Sequence, residues 1–195
     1  MTMTARIPVI GQASLFDYFH ERVEEVTRAR RHPVSQDTIY YLSQLLAEQG
    51  HREDDEPETL VELRQRAAHG DWAAATDSWR RLGDHALLQL GLFREHLRRR
   101  RLSERYVTEM GRGAYGTVAR MMRSPDSTLG ELFDELAGRW DACTAVLSEV
   151  GESGHDGAPA DVLRLYEEWL ATGSLRAAER LRELGVVPVR GAAHG

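Results

Sequence analysis

"RRLGDHALLQLGLFREHLRRRR", residues 80–101, is the stretch that decides the fold of this chain. Apolar residues recur in it and in the preceding turns at steps of three and four, which places them on one face of a helix. Further leucines fall on other faces, and a helix that is apolar nearly all round needs several neighbours. The pattern predicts one long helix from about Asp71 to Arg101 at the centre of a helical bundle.

The same spacing continues on both sides of this stretch, and strand-like alternation is nearly absent. The expected fold is therefore all-α, a multi-helix bundle of about eight helices with a long central helix. Ser14 with Asp17, and Thr128 with Glu131, have the spacing of a capping box and mark two helix starts. The predicted helices cover residues 14–31, 35–49, 59–69, 71–101, 103–123, 128–150, 160–172 and 174–185.

Glycine and proline mark the boundaries between these segments, and "GESGHDGAP" is the clearest linker. Chain ends with few apolar residues are poorly ordered in most proteins unless they are tied down. The sequence therefore predicts a disordered or extended N-terminus (1–13), one helical domain (14–188) made of a main bundle (14–150) and accessory helices (160–185), and a disordered tail (189–195).

Composition excludes several kinds of chemistry. All 25 basic residues are arginine, so neither a Schiff-base lysine nor a P-loop lysine is available. A chain of 195 residues can bury a core without disulfides or metals. The net charge of −6 gives no general attraction to nucleic acid, so we do not expect nucleic acid as a partner.

Cysteine usage and hydropathy bear on location. Cys143 is the single cysteine, so no internal disulfide can form, as is typical of a reducing cytoplasm. The N-terminal residues contain no apolar run of signal-peptide length, and no stretch approaches the roughly 18 apolar residues of a membrane span. We expect a cytoplasmic protein that does not contact a membrane.

Five polar residues of the central helix are the candidates for lining a ligand pocket: Asp84, His85, Gln89, Glu95 and His96. His85, Gln89 and His96 fall within about 40° of one another around the helix axis. The two acid–histidine pairs are three turns apart, roughly 16 Å, which is too far to share a metal ion directly. These residues could line the two ends of an elongated pocket. Alternatively, they are core groups that bond to arginine or tyrosine on adjacent helices.

A dense basic cluster follows them. Its members are candidates for docking an anion or an acidic partner, although arginines at a helix C-terminus are also favoured by the helix dipole alone. No known nucleic-acid motif accompanies the cluster. It consists of Arg98, Arg99, Arg100 and Arg101.

Two motif matches lack the context that their chemistry requires. Gly111, Gly113 and Gly116 spell a dinucleotide-binding pattern, but a helical segment precedes them instead of a strand, so they predict close helix packing. The paired Glu-x-x-His helices of dimetal bundles are missing. We therefore assign no metal site and no cofactor from the sequence.

The segments "RRLGDHALLQLGLF", "YEEWLATGS" and "LRELGVVP" resemble those of a set of bacterial all-helical proteins of similar length that have no assigned activity. The resemblance covers residues from about 36 to 188, and it implies that the two terminal helices belong to the same domain. The general outline also resembles the heme-oxygenase-like and ferritin-like folds, in architecture alone.

Two functions of different classes remain open. The first is a non-catalytic cytoplasmic helical module that binds a partner protein or a small ligand, because no complete catalytic constellation is visible. The alternative is a metal- or heme-dependent oxidoreductase of a helical-bundle type, supported by the architecture and by His85 and His96. Apolar residues on more than one helix face would also suit a homodimer.

Overall fold

A computed structural model describes residues 14–49, 60–94, 97, 103–124, 128–152 and 159–189. Within these ranges the chain forms nine α-helices and no strand, which confirms the all-α prediction. The predicted N-terminal segment 1–13 and most of the predicted tail, 190–195, lie outside the described residues. The helices are α1 (Leu15–Arg30), α2 (Gln36–Gln49), α3 (Leu60–His69), α4 (Trp72–Gly91), α5 (Glu104–Met121), α6 (Leu129–Gly138), α7 (Trp140–Glu152), α8 (Pro159–Thr172) and α9 (Leu175–Glu183).

The central position predicted for α4 is confirmed. This helix packs against α3, α5 and α7, while α1 pairs with α2, α5 with α6 and α8 with α9. Buried apolar side chains from all nine helices join in one core cluster. No helix in the described ranges combines the length and apolar character that crossing a membrane requires.

Serine side chains cap the first turn of several helices, as predicted for Ser14. Ser14 and Asp17 form a reciprocal capping box on α1, with the Asp17 amide donating to the Ser14 hydroxyl at 3.1 Å. Ser103 and Ser174 cap α5 and α9. The capping box predicted at Thr128 is wrong, because Thr128 already has helical backbone angles and its side chain accepts no capping bond from the described part of α6.

The predicted extent of the central helix is also wrong, since α4 ends at Gly91 and not near Arg101. The amides of Leu92 and Phe93 both donate to the Leu88 carbonyl, at 2.8 and 3.2 Å. The bond from Phe93 spans five residues, one more than the four that separate donor and acceptor in an α-helix, so the regular α-helical hydrogen bonding ends there. Glu95, His96 and Arg98–Arg101 lie outside the described residues.

The single helix predicted for residues 128–150 is two helices, α6 and α7, which meet at Arg139. Arg139 has φ −106° and ψ 29°, outside the helical range, and follows Gly138, a weak helix former. The change of direction still leaves Leu136 and Trp140 buried on either side of the junction. The apolar repeat therefore continues across the junction, and the repeat alone does not predict that the helix is interrupted there.

Glycines give the central helices their close approach, as predicted for Gly111. A Cβ at Gly83 would collide with the ring of Tyr115, and one at Gly111 would collide with Trp140. At Gly91 it would lie 2.5 Å from the Cβ of Leu147. Gly113 differs, because no described atom lies within 4 Å of the position its Cβ would take. Of the dinucleotide-like glycines, Gly111 is thus a packing residue in the middle of a helix.

Candidate functional site

The carboxylate of Asp84 joins three helices in one buried network. Asp84 is 7% exposed. Its Oδ1 accepts hydrogen bonds from the hydroxyls of Tyr41 on α2, at 2.6 Å, and Tyr115 on α5, at 2.7 Å. Its Oδ2 accepts from Arg80 Nη1 at 2.9 Å, one helical turn earlier on α4. A buried carboxylate needs such partners, because leaving it unpaired would be strongly destabilising.

The surrounding packing fixes the two tyrosines. The rings of Tyr41 and Tyr115 meet nearly edge-on, with centroids 6.4 Å apart, and both pack against Phe133 of α6. Tyr115 also contacts Trp140 of α7, with centroids 5.8 Å apart. Because the rings are held on several sides, their hydroxyl groups are fixed in position against Asp84.

Burial is the main electrostatic influence on this network. It raises the pKa of Asp84, and the charge of Arg80 and the two tyrosine hydrogen bonds oppose that rise. Burial also raises the pKa values of Tyr41 and Tyr115 well above their usual range, and the charge of Asp84 adds to the effect. Both phenols therefore remain protonated donors at neutral pH.

One side of this network borders an open cleft of about 170 Å³ between the C-terminal half of α2 and the middle of α4. Leu45 and Leu88, both almost fully buried, contribute its apolar surface. Its polar lining carries two guanidinium groups, two carboxylates, an imidazole and an amide. These side chains are Glu48 and Gln49 of α2 and Arg80, Arg81, Asp84 and His85 of α4.

His85 is half-buried in this lining and contacts Gln89 on the next turn of α4. Gln89 Nε2 lies 2.6 Å from His85 Nε2, so in this arrangement the ring nitrogen accepts the hydrogen bond. The amide oxygen of Gln89 is buried and has no hydrogen-bond partner among the described residues. Turning the amide over would place that oxygen on His85 Nε2 as the acceptor instead.

The structure brings some of the predicted pocket residues together. Asp84 and His85 line the same cleft, whereas Gln89 does not line it and contacts His85 from the next turn of α4. The core interpretation also holds for Asp84, because it bonds to tyrosines of two neighbouring helices. The remaining candidates, Glu95, His96 and Arg98–Arg101, are outside the described residues and stay predictions.

Sequence reasoning identified two of the six polar residues that line the cleft and missed the other four. Arg80 and Arg81 stand four residues before Asp84 and His85, the spacing that brings side chains together on a helix surface. That spacing would have been sufficient to predict both arginines as residues of the site. Glu48 carries no comparable signal, because its place beside α4 depends on how α2 packs.

The described residues offer neither a clustered set of metal ligands nor an accessible thiol. Among the described residues, no three histidine, cysteine, aspartate or glutamate side chains cluster as metal ligands would. Cys143 is fully buried in the core, and burial raises the pKa of its thiol to about 12. Comparisons with protein-family models, curated proteins and solved structures found no match to the chain.

Proposed function

We propose that this chain is a non-catalytic helical module that binds a small polar ligand in the cleft between α2 and α4. One observation carries the proposal: Asp84 and His85, two of the residues that the sequence marked, line a single cleft together with Arg80, Arg81 and Glu48. Charged and polar side chains that converge on one concave surface can fix the orientation of a small polar ligand.

The cleft rests on rigid parts of the fold, which favours binding. Leu45 and Leu88 are each 4% exposed and belong to the main core cluster. The hydrogen bonds from Tyr41 and Tyr115 to Asp84 hold α2, α4 and α5 together directly beside the cleft. A site built on such elements loses little conformational freedom when a ligand binds.

The strongest candidates for a reacting group have other roles. Asp84 accepts three hydrogen bonds, so its role is that of a structural hydrogen-bond acceptor. The Cys143 thiol, with its pKa raised to about 12 by burial, remains protonated and inside the core. Binding without a chemical step is therefore the function we propose, and a single cysteine in the core suits the cytoplasmic location that we also propose.

Ligand-dependent thermal stability tests this proposal. A ligand that binds the folded state alone raises the melting temperature with concentration. Four probes at constant ionic strength cover the chemistry of the lining: acetate, phosphate, methylammonium and glycine. We expect at least one to stabilise the wild-type protein, His85→Ala to lose that stabilisation, and Arg164→Gln on α8 to retain it. The proposal is contradicted if no probe stabilises the protein or if His85→Ala responds like the wild type.

A further inference from the structure

We propose that an aromatic surface on α1 and α2 binds an arginine side chain of a partner protein. This aromatic surface consists of the rings of Phe16, His20 and Tyr40. None of the three residues lines the cleft between α2 and α4, so the inference goes beyond the function proposed above.

The three rings form one cluster at the surface of the protein. The rings of Phe16 and His20 stack with an interplanar angle of 13° and centroids 5.4 Å apart. Tyr40 contacts both of them, with centroid distances of 5.0 Å to Phe16 and 6.4 Å to His20. Tyr40 is 55% exposed, and the other two residues are half-buried. Two helices together therefore present aromatic rings to the solvent.

Hydrogen bonds determine which nitrogen of His20 carries the proton in the neutral ring. The hydroxyl of Ser43 donates its single hydrogen to the carbonyl of Ile39 at 2.7 Å. It must therefore accept from His20 Nδ1, which lies 3.2 Å away. In the neutral ring Nε2 is then a hydrogen-bond acceptor. Among the residues that the structure describes, none donates to this Nε2.

Carboxylates flank the aromatic surface on both helices. Asp17 precedes His20 by three residues on α1, and Asp37 precedes Tyr40 by three on α2, a spacing that brings side chains together on a helix surface. Both carboxylates are exposed, and both hydrogen bonds that Asp17 accepts from Ser14 are to Oδ2. Helix α2 contains no basic residue. The surroundings of the rings are therefore acidic.

The arginine nearest to these rings in the sequence lies on the other side of α1. Two residues turn a helix by about 200°, so Arg22 points away from His20. Its guanidinium binds Glu25 at 2.6 Å. This arginine therefore does not neutralise the acidic surroundings of the aromatic surface.

An arginine side chain matches every property of this surface. Its guanidinium is a planar cation that stacks on aromatic faces, whereas a lysine ammonium is a compact point charge. It has five N–H donors and no acceptor, so it can donate to His20 Nε2 and to the carboxylate of Asp37 at the same time. An anion would be repelled by Asp17 and Asp37.

The strength of such contacts favours a protein partner over free arginine. Cation–π contacts and ion pairs at exposed sites are individually weak. An arginine that belongs to a folded or extended protein segment can add contacts from its neighbours, whereas the free amino acid cannot. The occupant that we propose is therefore a basic segment of a partner protein.

Nitrogen–proton correlation spectra at constant ionic strength test the inference with a capped tripeptide of arginine between two glycines. We expect saturable shifts of the backbone amides of His20, Asp37 and Tyr40. The same peptide with citrulline, the uncharged analogue of arginine, should bind at least about fivefold more weakly. The peptide with lysine should bind about two- to fivefold more weakly, because it loses the planar stacking.

Matched variants assign the contacts. Tyr40→Ala should weaken binding of the arginine peptide about two- to fivefold, whereas Tyr106→Ala, at another exposed tyrosine on α5, should not. Asp37→Asn should weaken binding about twofold or more, whereas Asp134→Asn on α6 removes an equal charge elsewhere and should not. His20→Phe keeps an aromatic ring and removes the acceptor, so it should also weaken binding.

Several results would overturn the inference. These are the absence of shifts at His20 and Tyr40, equal binding of the arginine, lysine and citrulline peptides, and equal effects of Tyr40→Ala and Tyr106→Ala. If sedimentation shows that Tyr40→Ala converts a dimer into a monomer, a second copy of this chain covers the surface and the proposed partner is wrong. None of these results involves the cleft, so the function proposed above is tested separately.

Discussion

The hydroxyl of Tyr115 reaches the Asp84 carboxylate at 2.7 Å because Gly83, the residue before Asp84 on α4, has no side chain. The tyrosine ring occupies the space where a Cβ at Gly83 would lie. One glycine thus permits both the close packing of α4 on α5 and the buried polar network beside the cleft.

Gly83→Ala should therefore destabilise the protein. The methyl group would press against the Tyr115 ring, and overpacking of this kind typically reduces the free energy of unfolding by about 1–3 kcal/mol. Gly113→Ala is the matched control, because it lies on α5 with no described atom within 4 Å of the new Cβ. There the better helix propensity of alanine should stabilise by up to about 1 kcal/mol. Urea denaturation followed by circular dichroism measures both; equal effects would show that the contact with Tyr115 is unimportant.

Asp84→Asn should weaken the junction of α2, α4 and α5. The asparagine oxygen can still accept from the tyrosines, but its amide group cannot accept from Arg80. The buried amide N–H group would face the Arg80 guanidinium without an acceptor, while Arg80 keeps its contact with Asp77, and this should reduce the free energy of unfolding by about 1–3 kcal/mol. Tyr41→Phe removes one hydrogen bond and keeps the carboxylate, so it should lose about 1 kcal/mol. A smaller loss for Asp84→Asn than for Tyr41→Phe would contradict the central role of the carboxylate.

Glu135 of α6 should make stability depend on pH in the acid range. It accepts hydrogen bonds from the amide and hydroxyl of Ser35 and from the hydroxyl of Thr38 at the start of α2. Burial raises the pKa of Glu135, but these bonds and the charge of Arg139 outweigh burial, so the pKa lies below its ordinary value.

The sign follows from that direction. A pKa that is lower in the folded state adds stability above the unfolded value, about 4.3, and this stability is lost as pH falls through the folded value. Glu135→Gln should therefore lower stability at pH 7 and show a shallower decline below pH ~4.5 than the wild type. Denaturation curves at several pH values measure the slope, and parallel declines would refute the assignment.

Cys143 should be a reporter of unfolding. Its side chain is fully buried, and burial raises the thiol pKa to about 12, so the native protein should react very slowly with a thiol reagent. Reaction should accelerate across the same urea range in which circular dichroism reports unfolding. Rapid labelling of the folded protein would mean that the helix α7 opens locally.

The sequence predicted the parts of this fold that depend on local pattern. The apolar spacing around Leu82, Ala86 and Leu90 identified α4 as a central helix, and Gly111 predicted close helix packing, which the structure shows against Ala86 and Trp140. The end of α4 at Gly91 was not predictable, because apolar spacing continues past it to Leu97. The helix ends where its hydrogen bonds shift to Leu88, a change that the apolar pattern does not record.

The residues of the candidate site were also predictable only where a local sequence pattern marks them. Asp84 and His85 were predicted as site residues because they are polar residues in an apolar helix, and both line the cleft. Glu48 could not be assigned to it, because the approach of α2 to α4 depends on tertiary packing and not on any neighbouring residue. Helix spacing alone therefore gives one wall of a site between helices.

A nitrogen–proton correlation spectrum of the labelled wild-type protein, titrated with glycine, acetate, methylammonium and phosphate, tests the binding cleft most directly. We predict that at least one probe shifts the backbone amides of Gln49, Arg81, His85 and Leu88 in a saturable manner. Amides of the exposed face of α8 around Arg164 should not move. If no probe moves the cleft amides, or if the shifts spread evenly over the surface, the cleft between α2 and α4 is not a binding site.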